Sequence, residues 1–155
     1  RKKQGIYDVT NLGLNYRMTD FQAALAIGQI LRYEKNLKKR QTNAKEYIKV
    51  LGKIKSVQVQ KFDKNHSYFV FQIFLNNRSI RDKVISEFKK NNIGSSIHYA
   101  TPVPLMSYYK NKYKLSKRNF INAVKYGDTS ISLPTHQFIN KMMIKFVAKI
   151  IKKNI

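Results

Sequence analysis

Residues 13–25 read GLNYRMTDFQAAL. A short polar turn carries Asn15, Tyr16 and Arg17, and Thr19 then opens a long helix with almost no polar break before Arg32. Thr19 and Gln22 have capping-box spacing. The Thr19 hydroxyl can accept from the amide of residue 22, and the Gln22 side chain can return to the amide of residue 19. A polar turn fixed to a helix of this kind is a rigid mount for a few side chains.

Working outward, the helix is expected from about Asp20 to Leu51. Its opening part, Phe21 to Leu31, is apolar on nearly every side and should be buried all round. Its middle, Glu34 to Gln41, is polar and mostly basic and should be exposed, with a bend or break near Tyr33 to Asn36. Its end returns to one apolar face through Ala44, Tyr47, Ile48 and Leu51. Gly52 then serves as a stop.

Val57 and Val59 alternate with Gln58 and Gln60 as a short half-exposed strand. Tyr68 to Leu75 (YFVFQIFL) is the clearest strand. Phe69, Phe71, Ile73 and Leu75 lie on one face, Tyr68, Val70, Gln72 and Phe74 on the other, and both should be largely covered. Ser79 is expected to cap a helix carrying Ile80, Val84, Ile85 and Phe88, which Asn91, Asn92 and Gly94 end. Ser96 to Tyr99 reads as a third strand.

A proline-marked loop with Pro102 and Pro104 follows, then a short tyrosine-rich helix within 105–113. Phe120, Ala123 and Val124 mark another helix, stopped at Gly127. Ser130 to Leu133 is a short extended piece. The last helix carries Met142, Met143, Phe146, Val147, Ile150 and Ile151 on one face. The order gives an α+β fold: a long helix, then a small, mainly antiparallel sheet with helices packed on one side. The expected organisation is a connection and turn over 1–18, a long linking helix over 19–52 and a small α/β domain over 53–155.

Composition limits the function classes. With 155 residues, 43% of them hydrophobic, the chain can bury a core. No run of about 18 apolar residues is present, so no membrane span is expected. Cysteine is absent, which excludes disulfides and thiolate metal sites and is compatible with a reducing, cytoplasmic setting. Arg1 is not an initiator methionine, and RKKQGIYDVTN reads as the middle of a connection. That points to a fragment, although a trimmed or processed chain looks the same.

The net charge is +23, from 31 Lys+Arg against 8 Asp+Glu. Such a balance can signal a polyanion partner. Here the excess is mostly lysine, spread from Arg1 to Lys153, and Lys, Ile and Asn are over-used together as an AT-rich coding bias produces. Only weak, nonspecific polyanion binding is expected. A basic nucleic-acid-binding module remains the rival reading, because an aromatic strand beside many lysines resembles sheets that stack bases. YFVFQIFL is apolar on both faces, however, whereas a stacking platform needs one open aromatic face.

Catalytic signals within the chain are few. There is no Gly-rich phosphate loop. His66, His98 and His136 lie far apart in sequence without ligand spacing, so no metal site is expected. The eight acids include no close pair of acid/base type. Lysine is abundant, but no phosphate cup or pyridinium partner marks one as a Schiff-base lysine.

The opening stretch resembles the G-x-N-Y-R-M-[TDS]-[DEF]-[LF]-Q-A-A signature of the sugar aminotransferases named for DegT, DnrJ, EryC1 and StrS. Further motifs follow in the family's order: the strand HSYFVFQIFL, then Asn92-Ile93-Gly94 ending a helix. After these come His98, Tyr99, Pro102, Pro104 and Leu105 of an H-Y-x-x-P segment, the pair Tyr108–Tyr109, and Ser132-Leu133-Pro134 before the last helix. Pro104 stands where many members carry His, so any role of that His does not transfer. Leu14 replaces a commoner Tyr or Ile.

The resemblance implies the C-terminal domain of a fold-type I aminotransferase. The whole enzyme would use pyridoxal 5'-phosphate (PLP), act as a homodimer, and pass nitrogen, with glutamate as donor, to a nucleotide-linked keto-sugar. It also implies that the Schiff-base lysine and most of the phosphate cup lie N-terminal to Arg1, so that this chain contains no catalytic lysine and is inactive alone. By the same resemblance, Asn15 would reach the neighbouring subunit and donate its amide N–H to the PLP phosphate. Arg17 would fork onto a carboxylate or a sugar-nucleotide diphosphate, and His98 and Tyr99 would line the sugar pocket. Simpler roles stand beside these: a left-handed turn residue at Asn15, an ion pair with Asp20 for Arg17, and structural roles for His98 and Tyr99. A non-catalytic dimerisation or regulatory domain descended from such enzymes is the remaining alternative.

Overall fold

The structure is a computed structural model and describes residues 12–14 and 16–155. Asn15 therefore lies outside the described residues, as does the basic lead-in over 1–11. Two compact units divide between Tyr33 and Glu34.

In the N-terminal unit, helix α1 (Asp20–Leu51) starts from the capping box read in the sequence. The Thr19 amide donates to Gln22 Oε1 at 3.0 Å, and the Gln22 amide donates to Thr19 Oγ1 at 3.2 Å. The expected burial of Phe21 to Leu31 is not seen: Phe21 is 73% exposed and Leu31 81%, with Leu25, Ile27 and Ile30 also exposed. Apolar periodicity states which surface favours burial, but not what supplies the cover, and nothing among the described residues supplies it here. The helix is also uninterrupted through Tyr33 to Asn36, so the expected break is absent. No proline or glycine interrupts its hydrogen-bond ladder there. The change from apolar to basic composition coincides instead with the division between the units.

The second unit is built on a three-stranded antiparallel sheet with β1 (Val57–Val59), β2 (Phe71–Leu75) and β3 (Ser130–Leu133) in the order β1-β2-β3. Phe71, Ile73 and Leu75 project to one face, where Tyr47 and Leu51 of α1 meet them. Val84 and Phe88 of α2 (Arg78–Lys90) and Ile144, Val147 and Ile151 of α5 (Lys141–Lys153) complete that core. Tyr47 stacks on Phe71 at 5.1 Å, and its hydroxyl donates to the Pro134 carbonyl at 3.0 Å. Burial pushes the Tyr47 phenol above its ordinary pKa. The fold is thus α+β, a small antiparallel sheet with its main helices on one side. On the other side, Tyr126 of α4 (Ile121–Thr129) packs edge-on against Phe74 and hydrogen-bonds Gln72. With Phe71 buried and Phe74 covered in this way, β2 has no open aromatic platform for bases.

Several local expectations change for identifiable reasons. β2 begins at Phe71 rather than Tyr68, because buried Tyr68 takes a left-handed conformation (φ 47°) and leaves Phe69 exposed. In the middle of α1, Leu37, Arg40 and Gln41 are half-buried rather than exposed, and Gln41 donates to the Lys64 carbonyl at 2.9 Å. The N-cap of α2 is Asn77, whose Oδ1 accepts from the Ile80 amide at 2.9 Å, so Ser79 lies within the first turn.

The segment 96–99 is not a strand. It makes a single antiparallel bridge, Ser96 to Ser132, and His98 and Tyr99 already belong to a turn. The third strand is Ser130–Leu133. Helix α3 (Ser107–Tyr113) falls within the expected interval and ends at Lys114 (φ 51°). Gly127 does not stop its helix: α4 runs on to Thr129, and Gly127 is buried where a β-carbon would stand 2.7 Å from the Ala100 carbonyl oxygen. On α5 the buried face is Ile144, Val147, Ala148, Ile150 and Ile151, while Met142, Met143 and Phe146 face solvent. Its apolar arc is wider than the core it covers.

Candidate functional site

The bridge between Ser96 and Ser132 brings the His98 turn onto the sheet. The Ser132 amide donates to the Ser96 carbonyl at 2.8 Å, and the Ser96 amide returns to the Ser132 carbonyl at 3.3 Å. This registers His98 over the face of β3 opposite the core, the face that pairs Ser132 with Gln72. His98 Nδ1 lies 2.9 Å from Ser132 Oγ and 3.4 Å from Ser96 Oγ. Tyr99 sets its ring edge-on to the imidazole at 5.5 Å and is itself exposed.

A groove of about 330 Å³ opens here, lined among others by Gly94, Ser96, His98, Ser132, Thr135 and His136. Hydroxyls and two imidazoles converge in it with an apolar wall that includes Phe69 and Leu133. That chemistry suits a polyhydroxylated or phosphate-bearing ligand, which presents many acceptor oxygens. The lower rim is tied to α1, since Asn43 Nδ2 donates to the His136 carbonyl at 3.3 Å.

His98 and Tyr99 therefore stand together in the second unit. Arg17 belongs to the N-terminal unit, is exposed, and forms no ion pair with Asp20. His66 is away from the groove, its ring tilted against Tyr68 at 4.5 Å. Sequence reasoning did not assign a role to Ser132, Ser96 or His136. The Ser132-Leu133-Pro134 motif was visible, but only the antiparallel bridge shows that its serine meets an imidazole 34 positions earlier.

Two other hollows differ in character. One, of about 470 Å³, lies beside α4 with Lys55, Gln58, Phe74 and Tyr126 in its wall. The other, of about 480 Å³, is lined among others by Arg78, Lys117, Arg118, Ile121 and Val124. Neither contains a histidine. Among the described residues no three His, Cys, Asp or Glu side chains cluster as metal ligands. No helix there is long and apolar enough to cross a membrane.

The sequence profile of the DegT/DnrJ/EryC1/StrS aminotransferase family matches residues 1–152. The chain belongs to this family. A Campylobacter jejuni relative, UDP-4-amino-4,6-dideoxy-N-acetyl-beta-L-altrosamine transaminase, is 29% identical over 145 residues, which are 90% of this chain and 38% of the relative. Uncharacterized protein MJ1066 of Methanocaldococcus jannaschii is 29% identical over 152 residues, 95% of this chain and 39% of that protein. Among solved structures, the PLP form of the putative sugar aminotransferase Spr1654 from Streptococcus pneumoniae superposes with a TM-score of 0.80 at 22% identity. That match covers 97% of this chain and 40% of the other. The shared architecture is thus the family's, and the chain spans about two fifths of the length of these relatives.

PLP is the cofactor the family implies. The groove offers hydroxyl and imidazole groups but no lysine in its lining, so its residues do not by themselves fit the covalent seat of that cofactor.

Proposed function

We propose that this chain forms the C-terminal part of a PLP-dependent aminotransferase that moves an amino group, with glutamate as donor, onto a nucleotide-linked keto-sugar. On this reading the chain is inactive without the part that holds the Schiff-base lysine. The observation that carries the proposal is the family match over residues 1–152, which takes in every motif read from the sequence. The exposed apolar run of α1 supports it, since a surface of that kind favours cover by further protein.

PLP, when bound, carries the nitrogen between donor and acceptor. The residues of this chain bind and orient. Asn15 would donate its amide N–H to the cofactor phosphate of the neighbouring subunit. Arg17, held at the mouth of a capped helix, forks onto a carboxylate or diphosphate. His98 and Tyr99 line the sugar pocket from the small domain. The organisation proposed is a connection and interface turn over 1–18, a linking helix over 19–52 and the small domain over 53–155.

The test is a mixed dimer of the complete enzyme, pairing an Asn15→Ala subunit with one lacking the Schiff-base lysine. If each site draws its lysine and its asparagine from different subunits, the mixed dimer has one site with both defects and one with neither. Activity should then exceed that of either parent. If demonstrated heterodimers restore nothing, Asn15 serves its own subunit or only shapes the turn.

A further inference from the structure

We infer that Ser132 is the positioning residue for His98, and that it fixes the imidazole tautomer that presents Nε2–H to the groove. The ring nitrogen Nδ1 sits 2.9 Å from Ser132 Oγ, with Ser96 Oγ also near at 3.4 Å. Both serines are held by main-chain bonds to each other, so the bridge sets the two residues side by side. With Nδ1 engaged from the protein side, the nitrogen left for a ligand is Nε2.

The direction of the Ser132 hydrogen bond follows from burial. Ser132 is only 5% exposed. A hydroxyl has one proton to donate, and a buried donor without an acceptor is destabilising. If the Ser132 O–H donates to Nδ1, that proton is satisfied and the ring must carry its own proton on Nε2. If Nδ1–H donated instead, the buried Ser132 proton would need another acceptor, and the imidazole is the partner its side chain has. Ser96 Oγ, on the same nitrogen, adds a second candidate donor. The arrangement therefore selects one tautomer, as the partner of one ring nitrogen generally decides the state of the other.

The consequence concerns ligand class. A ring fixed as an Nε2–H donor takes an acceptor oxygen: a carbonyl, a hydroxyl oxygen or a phosphate oxygen. It presents no acceptor lone pair at Nε2. In the proposed enzyme this makes His98 a polarising or orienting donor to the sugar, an assignment that rests on the function proposed above. The tautomer itself does not.

The experiment reads the tautomer directly in this chain. Long-range proton–nitrogen correlation spectra of selectively labelled histidine would be collected at about pH 8.5, where an ordinary imidazole is neutral. The His98 signals should show the Nε2–H form dominant, with Nδ1 unprotonated. Ser132→Ala, checked as folded by circular dichroism, should shift His98 toward a mixed population, and Ser132→Thr, which keeps the hydroxyl, should restore the wild-type pattern. His66 and His136 serve as internal controls. A protonated Nδ1 in the wild type, or a His98 pattern unchanged in folded Ser132→Ala, would overturn the inference. Neither result depends on cofactor or substrate, so its failure is separate from failure of the transaminase assignment.

Discussion

Gly127 gives the sharpest link between packing and the groove. A β-carbon there would stand 2.7 Å from the Ala100 carbonyl oxygen, 2.8 Å from that of Tyr99 and 3.1 Å from the Ala100 carbonyl carbon, where ordinary contacts begin at 3.4 Å. These are main-chain atoms, so relief requires the 99–100 turn or α4 to move by roughly half an ångström or more, at an overpacking cost of about 1–3 kcal/mol. The Gly127 carbonyl also accepts from buried Arg81 Nη1 at 2.9 Å, which resists movement of α4. Gly→Ala in a helix brings a gain of up to about 1 kcal/mol from propensity alone.

Gly28 in α1 supplies the control, because a β-carbon there meets nothing within 4 Å. Gly127→Ala should therefore be less stable than Gly28→Ala by about 1–3 kcal/mol, the helix gain cancelling between them. By the size scaling for chains of this length, the midpoint should fall by roughly 2–12 °C between the two variants. Urea and thermal unfolding followed by circular dichroism would measure it. Equal stability of the two variants would refute the close approach of α4 to the 99–100 turn, and with it the account of why a glycine sits inside that helix.

Three further outcomes are expected. Tyr47→Phe should lose about 1 kcal/mol at neutral pH, through the bond to the Pro134 carbonyl. Because burial raises the Tyr47 phenol above its unfolded value, its contribution is full below about pH 10 and is lost as pH rises beyond it. The stability gap between wild type and Tyr47→Phe should therefore change above that pH; a constant gap to pH 11.5 would count against burial of the phenol. Ile30→Glu with Leu31→Glu should reduce dye binding and self-association of the chain while changing unfolding free energy by no more than about 0.5 kcal/mol per site. A large loss of stability would mean that these exposed side chains are packed. DNA or RNA binding should be weak, indifferent to sequence and steeply reduced by salt. Sub-micromolar, sequence-selective binding at physiological salt would favour the nucleic-acid reading.

Much of the second unit could be read from periodicity and caps. Ala44, Tyr47 and Leu51 form the inner face of α1, and Phe71, Ile73 and Leu75 the inner face of β2, because each repeat matches one element's geometry. The Thr19–Gln22 box was legible because it is local. What escaped was non-local. Phe21, Leu25, Ile27, Ile30 and Leu31, and Met142, Met143 and Phe146 on α5, are as apolar as the core, yet lie exposed, since composition does not name a partner surface. Ser130–Leu133 became the third strand, in place of 96–99, through pairing with β2. Gly127 resembled a helix stop because the carbonyls that need its space come from the distant 99–100 turn. In the groove, His98 was visible as a motif residue, whereas Ser132 and His136 reach it only through the sheet.

The proposal that the cofactor lysine lies outside this chain is tested most directly by chemical trapping. The chain would be incubated with excess PLP, reduced with borohydride, digested and mapped by mass spectrometry. The account predicts sparse labelling distributed over many surface lysines, with no site approaching one equivalent. A single lysine labelled stoichiometrically would place the covalent cofactor seat within these 155 residues and contradict the account.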